Sequence, residues 1–360
     1  MSSDPTRAWV EIDLGALKRN GAALRARSGA RLLPMVKADA YGLGVREVVK
    51  ALGSLDPWGF GVATIAEGEE LRAEGFDGRV VVFTPLLKED LSHVADARLT
   101  PALGTRQAIA SWTGRTDAPW HLAIDTGMNR AGASWRESDE ITVLARRHPP
   151  EGVFTHFHSA ELDDGSMEVQ EQRFEAALAR LAIKAQLTHT DNSAAIARHG
   201  RTGRDLIRPG IFLYGVGSGP SAGIQPEPVV SLRASVVEIR EIEAGDTVSY
   251  DATFSAKRKS RIATLSVGYA DGYPRGLSNV AQASIGGALT PVIGVVTMDM
   301  TMIDVTDVRC ELGDVATLLG RNGENLLTVE RVASAGGSSP YELLTGLRSR
   351  IERRYVEGAQ

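Results

Sequence analysis

Short apolar runs alternate with amphipathic stretches along the first two thirds of the chain. The amphipathic stretches, such as residues 65–74 and 167–184, place apolar positions at helical spacing. Eight strand–helix alternations over this length favour an α/β fold, an N-terminal (β/α)8 TIM-type barrel, with a doubly wound parallel sheet as the alternative. The apolar runs predict buried strands at residues 31–37, 59–63, 79–83, 98–102, 121–125, 152–157, 187–191 and 206–211.

The pattern changes after Tyr214. Residues 215–228 are rich in Gly, Pro and Ser, which predicts a linker or long loop. We expect residues 1–226 to form the barrel and residues 227–360 a predominantly β C-terminal domain, a barrel or a sandwich, closed by helical segments at 328–335 and 340–355. The predicted strands of this domain are 229–242, 247–250, 261–266, 281–285, 290–296, 301–305 and 315–319.

Composition narrows the class of protein. With 43% hydrophobic and 24% charged residues, the 360-residue chain is typical of a globular protein with a substantial core. The net charge of −5 offers no basic face for nucleic acid. No apolar run approaches the ~20 residues of a membrane span, and residues 1–7 are polar and charged, so we expect no secretory signal. The single cysteine, Cys310, fits a reducing compartment, so we expect a cytoplasmic protein.

Lys37 is the first candidate for chemistry, because it lies at the carboxyl end of the first predicted strand with Tyr41 four residues later. A lysine behind an apolar strand is poorly solvated, which makes its neutral amine easier to populate. A neutral amine can form a Schiff base with an aldehyde. The alternative is that Lys37 ends the strand and points into solvent.

Other polar residues follow the later strands at the same end of the predicted barrel, where active sites of such barrels lie. Ser193 begins a predicted helix, where free backbone N–H groups attract an anion, and Gly210 permits close approach of a ligand. Asn192 and Ser193 could instead only cap that helix. A lysine at strand one with a phosphate cradle at strands seven and eight describes a site for pyridoxal 5'-phosphate.

His156 and His158 lie two apart on a predicted strand and therefore face the same side, as metal ligands can. No paired cysteines or glutamate-rich motif completes a metal site, so we expect none and assign His156 to a hydrogen-bond relay.

An ordered set of motifs between residues 34 and 355 resembles the alanine racemase family. The first of them resembles the attachment signature for the cofactor, and the others follow in the family's order at its approximate spacing, so the ordered set is more specific than any single motif. The motifs are residues 36–42 (VKADAYG), 125–128 (DTGM), 155–157 (THF), 192–193 (NS), 208–211 (RPGI), 248–250 (VSY), 267–275 (VGYADGYPR), 298–300 (MDM) and 350–355 (RIERRY).

This resemblance implies an enzyme that interconverts L-alanine and D-alanine with pyridoxal phosphate, in a head-to-tail homodimer whose sites are shared between subunits. Lys37 would hold the cofactor and serve as the base on one face of the substrate. Tyr250 of the partner subunit would serve on the opposite face. Racemisation needs such a pair, because the α-proton leaves one face of a planar carbanion and returns to the other.

The resemblance also assigns the remaining site residues. Arg208 would face the pyridine nitrogen, and His156 would link Arg208 to Tyr250 by hydrogen bonds. Arg130 and the backbone of Met298 would bind the substrate, and Tyr269 and Asp299 would line the entry corridor. The cofactor's phosphate would be held by Tyr41, Ser193 with its neighbour Asn192, Gly210, Ile211 and Tyr355.

The sequence departs from the family pattern at Ala123, where many members carry a lysine that braces the arginine corresponding to Arg130. We hypothesise that a chloride ion or Asn129 braces Arg130 instead. Leu43, Asn129 and Thr297 also replace common family residues, and these changes put the breadth of substrates in doubt.

Three other functions compete with alanine racemisation. A broad-specificity amino-acid racemase of the same fold is the nearest. A barrel-type decarboxylase of basic amino acids is disfavoured by Arg208, because decarboxylation gains from a strong electron sink at the ring nitrogen. A non-catalytic protein of pyridoxal phosphate homeostasis would resemble the barrel alone, and the second domain with Tyr250 argues against it.

Overall fold

The computed structural model describes residues 7–136, 139–183, 185–201 and 203–358. In the first part of the chain, strands and helices alternate as the hydrophobic pattern predicts. Its elements are β1 (Ala8–Asp13), α1 (Leu14–Ser28), β2 (Arg31–Leu32), α2 (Lys37–Gly42), α3 (Val45–Gly53), β3 (Gly59–Val62), α4 (Ile65–Ala73), β4 (Arg79–Val82), α5 (Leu91–Asp96), β5 (Thr100–Leu103), α6 (Arg106–Thr113), β6 (His121–Asp125), β7 (Ala133–Ser134), α7 (Asp139–Arg147), β8 (Gly152–Phe154), α8 (Ser166–Leu181), β9 (Leu187–His189), α9 (Ser193–His199) and β10 (Leu206–Ile207).

These strands close into a parallel barrel. Strands β3, β4, β5, β6, β8 and β9 pair in that order, and β10 pairs with β2. Bridges between Met35 and Gly61 and between Asn192 and Arg208 join the two groups into a ring of eight strands. The predicted (β/α)8 architecture is therefore confirmed. Strand β2 is shorter than predicted because Pro34 has no N–H to donate to a neighbouring strand.

The second part of the chain is mostly β, as predicted. Its elements are β11 (Val230–Ile242), β12 (Thr247–Val248), β13 (Phe254–Ser255), β14 (Ser260–Leu265), β15 (Gln282–Ile285), β16 (Ala288–Ile293), β17 (Thr301–Asp304), β18 (Val315–Asn322), β19 (Asn325–Leu327), α10 (Val329–Ala335), α11 (Pro340–Thr345) and β20 (Glu352–Val356).

Strand β11 closes this domain into an antiparallel barrel. Its first half pairs with β18 and its second half with β14, with a bulge between Val236 and Glu238. The circuit continues through β15, β16 and β17. Of the two architectures that the sequence left open, the structure therefore has the barrel.

The two ends of the chain meet beside β11. Strand β1 pairs with β11 in antiparallel register and with β20 in parallel register. The predicted boundary after residue 226 remains a prediction, but the sheet of the second domain includes residues from the start of the chain. Buried side chains of both domains belong to one apolar core, among them Leu213 of the first and Leu232 and Leu318 of the second.

The predicted helix at 340–355 is wrong in its second half. Helix α11 begins at a capping box, in which Ser339 and Glu342 exchange hydrogen bonds, and it ends before Gly346. Residues 352–356 form β20 instead, because β1 offers a free edge for parallel pairing and Arg354 packs over the Trp9 ring at 4.4 Å.

Within the described part of the chain, no helix has the length and apolar character that crossing a membrane requires.

Candidate active site

Lys37 lies at the end of the first barrel strand, at the start of a left-handed turn. It is the first residue of α2, and the four residues that follow it have left-handed backbone angles, with φ between 52° and 58°. None of these four residues, Ala38 to Tyr41, is a glycine. Left-handed helical geometry costs other residues about 1–2 kcal/mol each. Contacts from elsewhere in the molecule must therefore hold the turn.

Carboxylates hold the start of this lysine turn, residues 37–42. The N–H of Ala38 donates to Oε1 of Glu67 at 2.8 Å, and the N–H of Val45 donates to Oδ1 of Asp39 at 2.7 Å. Glu67 also accepts the N–H of Ala63 at 2.6 Å through its other oxygen. One glutamate on α4 thus connects the turn to the end of strand β3.

The C-terminal strand holds the end of the turn. Arg353 donates to the carbonyl of Gly42 through Nε at 2.9 Å and through Nη2 at 2.8 Å. The Tyr355 hydroxyl donates to the carbonyl of Leu43 at 3.1 Å. A Cβ at Gly44 would collide with that hydroxyl, so this position requires glycine. Residues from both domains therefore fix the position of Lys37.

Lys37 is exposed at the mouth of the barrel in the isolated chain, yet its surroundings make the neutral form of its amine easier to populate than in an ordinary lysine. Burial of part of the side chain lowers the pKa of Lys37, the positive charge of Arg130 lowers it further, and Glu67 partly offsets both. An amine with a lowered pKa is neutral, and hence nucleophilic, at a lower pH than an ordinary lysine.

Arg208 lies inside the barrel and is only 4% exposed. Its Nη1 donates to the carbonyl of His189 at 2.5 Å, and its Nη2 donates to the carbonyl of Thr155 at 2.7 Å. Burial lowers the pKa of Arg208 to about 10, although Asp191 raises it. The guanidinium therefore remains charged at neutral pH. Its hydrogen bonds within the described residues use Nη1 and Nη2, and none uses Nε.

His156 is beside Arg208. Its Nδ1 lies 3.3 Å from Nη2 of Arg208 and must accept this hydrogen bond, since a guanidinium has no acceptor. Burial, followed by the positive charges of Arg208, Arg130 and Lys37, lowers the pKa of His156 to about 3. His156 is therefore a neutral imidazole among cations.

The loops after β9 and β10 form a cradle with unused hydrogen-bond donors. The Ser193 Oγ accepts the N–H of Gly210 at 2.9 Å and that of Phe212 at 3.3 Å. Since a hydroxyl has two acceptor positions and one donor, the Ser193 proton remains available. Among the described residues, the N–H of Ile211 also has no acceptor. These donors suit an anion.

The Tyr41 ring completes this cradle. It is stacked on the Tyr214 ring at 4.6 Å, and burial raises its pKa, so its hydroxyl stays protonated. A Cβ at Gly210 would collide with the Tyr41 oxygen. Gly210 is therefore necessary for the close approach of the two loops.

Asn192 has the capping role that the sequence left open. Its Oδ1 accepts the N–H of Ala195 at 3.0 Å at the start of α9, and its Nδ2 donates to the carbonyl of Phe157 at 3.3 Å. His158 is exposed, and its Nδ1 lies 2.7 Å from Oγ of Ser159. In the part of the chain that the structure describes, no three His, Cys, Asp or Glu side chains form a group that could hold a metal ion.

The substrate-binding candidates lie in two places. Arg130 is exposed after a turn in which Oδ1 of Asp125 accepts two backbone N–H groups, at 2.9 and 3.1 Å. Asn129, where the family often has glycine, adopts a φ of 55°, which asparagine tolerates well. Ala123 is half-buried on β6.

The remaining candidates lie on loops of the β domain. Tyr250 is 69% exposed, Met298 52% and Tyr269 39%. Asp299 accepts a hydrogen bond from Nη2 of Arg350 at 2.7 Å. Among the described residues, no hydrogen bond, ion pair or ring contact joins Tyr250 to Lys37, Arg208 or the cradle. A single chain thus brings the barrel residues together with Tyr355 of β20, whereas Tyr250 makes no such contact with them.

Two further residues of the site were not predicted from the sequence. The Tyr214 hydroxyl donates to the carbonyl of Met35 at 2.8 Å, and His189 contacts Arg208 inside the barrel. His189 lies in a run that was predicted as a buried strand. A histidine within an apolar strand is the signal that identifies it.

Comparison with known proteins agrees with this geometry. Residues 12–218 match the model of the alanine racemase N-terminal domain, and residues 229–355 match that of the alanine racemase C-terminal domain. A relative from Deinococcus radiodurans named alanine racemase is 40% identical over 356 residues, which cover 97% of this chain and 99% of that protein.

Solved structures show the same similarity. The alanine racemase of Bartonella henselae with covalently bound pyridoxal phosphate aligns with a TM-score of 0.90 at 29% identity, over 98% of this chain and 100% of that one. The alanine racemase of Streptomyces coelicolor aligns with a TM-score of 0.91 at 31% identity, over 98% of each chain. The chain therefore belongs to the alanine racemase family.

Proposed function

We propose that this protein is a pyridoxal phosphate-dependent alanine racemase, which interconverts L-alanine and D-alanine. The observation that carries the proposal is the convergence at one end of the barrel of Lys37, the buried Arg208 and the donor cradle around Gly210. Relatives that share this fold are named alanine racemase, and the Bartonella henselae protein holds pyridoxal phosphate covalently.

The residues of the cradle fit the cofactor's phosphate. The Ser193 hydroxyl, the Tyr41 hydroxyl and the N–H of Ile211 are donors without acceptors among the described residues, and Gly210 leaves the space between them open. Such donors suit a phosphate dianion. Tyr355 and Asn192 would support this cradle from β20 and from the cap of α9.

Pyridoxal phosphate supplies an aldehyde that bonds to amines and a ring that draws negative charge away from the α-carbon. The Lys37 amine would hold the cofactor and then move the α-proton on one face of the substrate. Arg208 would donate to the ring nitrogen and retain its own proton, since its pKa of about 10 is well above neutral. His156 would connect Arg208 to the second base by hydrogen bonds.

Tyr250 of the partner subunit would be that second base, in a homodimer that shares its sites. Inversion of the α-carbon requires a proton donor on the face opposite Lys37. Tyr250 is 69% exposed in the single chain and makes no contact with the described barrel residues of the site, so a second copy would have to supply it. Met298, Tyr269 and Asp299 would reach the site in the same way.

Arg130 would bind the substrate carboxylate, because its guanidinium is exposed near the Lys37 amine, whose pKa it lowers.

Ala123 favours a second candidate function. Its small side chain leaves more space beside Arg130 than a lysine would, which suits a broad-specificity racemase that accepts larger amino acids. Chloride as the brace for Arg130 remains a prediction.

Racemisation of L-alanine in heavy water with added pyridoxal phosphate tests the proposal, with L-serine, L-lysine and L-arginine run in parallel. We expect rapid exchange of the α-proton for deuterium and formation of D-alanine, with little turnover of the other three. Comparable turnover of the larger substrates would assign a broad-specificity racemase. Cofactor binding without exchange on any substrate would assign a non-catalytic protein.

Substitution Gly210→Ala should raise the dissociation constant for pyridoxal phosphate about tenfold or more, because the new Cβ would press on the Tyr41 hydroxyl and displace a donor. Titration followed by absorbance measures this constant. Gly53→Ala is the matched control, since no atom lies within 4 Å of the position that a Cβ would take there. Equal affinity of both variants for the cofactor would remove the cradle around Gly210 from the site.

A further inference from the structure

A line of polar side chains crosses the interior of the barrel behind Arg208. The Arg208 Nη1 lies 2.9 Å from Nδ1 of His189, and the His189 Nε2 lies 2.8 Å from Nδ1 of His121. The His121 Nε2 faces Oε2 of Glu151 at 3.6 Å, and the other oxygen of Glu151 accepts Nη2 of Arg79 at 2.9 Å. We call Arg208, His189, His121 and Glu151 the axial chain.

The axial chain spans the barrel from end to end. His121 is the first residue of β6, and Glu151 directly precedes β8. Arg208 and His189 lie towards the carboxyl ends of β10 and β9, on the side of the candidate active site. A pocket of about 360 Å³ opens at the Glu151 end, with Trp120, His148 and Gln186 among its lining residues. The axial chain therefore begins beside the candidate active site and ends near solvent at the opposite face of the barrel.

Donor chemistry fixes the direction of the two hydrogen bonds in the axial chain, from Arg208 to His189 and from His189 to His121. A guanidinium can only donate, so Nδ1 of His189 must be an unprotonated acceptor and its proton must be on Nε2. That proton is then donated to Nδ1 of His121, which leaves the proton of His121 on Nε2, directed at Glu151. Both histidines are neutral, and each has one assigned tautomer.

The barrel interior is shaped to hold these two rings. His121 and His189 are fully buried, and burial lowers the pKa of each, followed for His189 by the charge of Arg208. The His189 ring is stacked on the Phe154 ring at 4.8 Å. A Cβ at Gly152 would lie 2.9 Å from the His121 ring. Two buried imidazoles are costly unless their hydrogen bonds are satisfied.

We propose that His189, His121 and Glu151 are positioning residues, which fix the orientation of the Arg208 guanidinium from the opposite end of the barrel. The carboxylate of Glu151 lies 3.6 Å from Nε2 of His121, which is too far for a hydrogen bond, but its negative charge attracts the N–H of His121 and polarises the two hydrogen bonds behind it. Asp191 also attracts Arg208. The hydrogen bonds of the axial chain, however, determine which of the two ring nitrogens of His189 carries the proton. This inference rests on the proposed function.

Two substitutions at Glu151 separate its charge from its shape. Glu151→Gln retains a polar side chain of similar shape beside His121 and removes the charge, whereas Glu151→Leu removes both the charge and the polar atoms. We expect the dissociation constant for pyridoxal phosphate to rise about threefold in the first variant and about tenfold or more in the second, with a shifted absorbance spectrum of the bound cofactor. Glu11→Gln is the matched control, because Glu11 forms a similar bridge to Arg233 at 2.6 Å in the β domain.

Nuclear magnetic resonance of the protein labelled with ¹⁵N-histidine tests the chain independently of the cofactor. In the wild-type protein, His121 and His189 should each carry a proton on Nε2 alone, with signals assigned from His121→Gln and His189→Gln variants. A proton on Nδ1 of His189 would overturn the proposal. So would a Glu151→Leu variant with lowered thermal stability but an unchanged cofactor spectrum and affinity. Failure of the wild-type protein to bind pyridoxal phosphate, with both tautomers as assigned, would instead reject the proposed function.

Discussion

Substitution Lys37→Ala should abolish covalent attachment of pyridoxal phosphate and lower racemisation of alanine by at least about 10³-fold. The reason is that one amine would both hold the cofactor and move the α-proton, and a positioned acid–base group alone contributes about 10²–10⁴-fold. Reduction with borohydride followed by mass spectrometry should find the cofactor on the peptide that contains residue 37 in the wild-type protein only.

Lys259→Ala provides the control for this experiment. Lys259 is an exposed lysine that pairs with Glu241 at 2.7 Å in the β domain, so its loss should change neither attachment nor rate. A Lys37→Ala variant that still carried the reduced cofactor, or that racemised alanine at the control's rate, would refute the assignment of Lys37.

Substitution Tyr250→Phe should slow proton abstraction from one enantiomer of alanine by about 10²-fold or more, and abstraction from the other enantiomer by much less. The hydroxyl would act on one face only, so its loss affects the two directions differently. Deuterium incorporation at early times, measured from L-alanine and from D-alanine separately, reports each abstraction. Equal small effects in both directions would exclude Tyr250 as a base.

Mixing two inactive variants tests whether the site is shared between subunits. In a mixed dimer of Lys37→Ala and Tyr250→Phe chains, one site would lack both groups and the other would have both. Random exchange of subunits should therefore restore about a quarter of wild-type activity. If the two residues acted within one chain, the mixture would stay as inactive as its parts.

The sequence predicted the barrel well because burial on both faces makes parallel strands apolar throughout, and eight such runs are visible. It also located the residues that follow those strands. The lysine turn could not be predicted, since Ala38, Asp39, Ala40 and Tyr41 have no local preference for left-handed angles. Their conformation depends on Glu67 and Arg353, and Arg353 is 311 residues away from Gly42.

The sequence mispredicted the final helix and did not reveal the axial chain, and the two failures have related reasons. Residues 346–355 satisfy a helical pattern locally, and only the edge of β1 makes the strand more stable. His121 and His189 are 68 residues apart, and nothing near either one indicates that their rings meet. Local patterns thus predict which elements form, whereas contacts between distant elements decide how the site is completed.

The pairing of β1 with β20 has a consequence for how the protein folds during translation. A ribosome makes Lys37 and the whole barrel long before it makes Arg353 and Tyr355, the residues that support the lysine turn from β20. Domains near the start of a chain generally fold first during translation. The nascent barrel therefore lacks both supports until residues 353–355 leave the exit tunnel. A chain truncated before residue 353 should never form these two contacts, so its lysine turn would stay unsupported from β20.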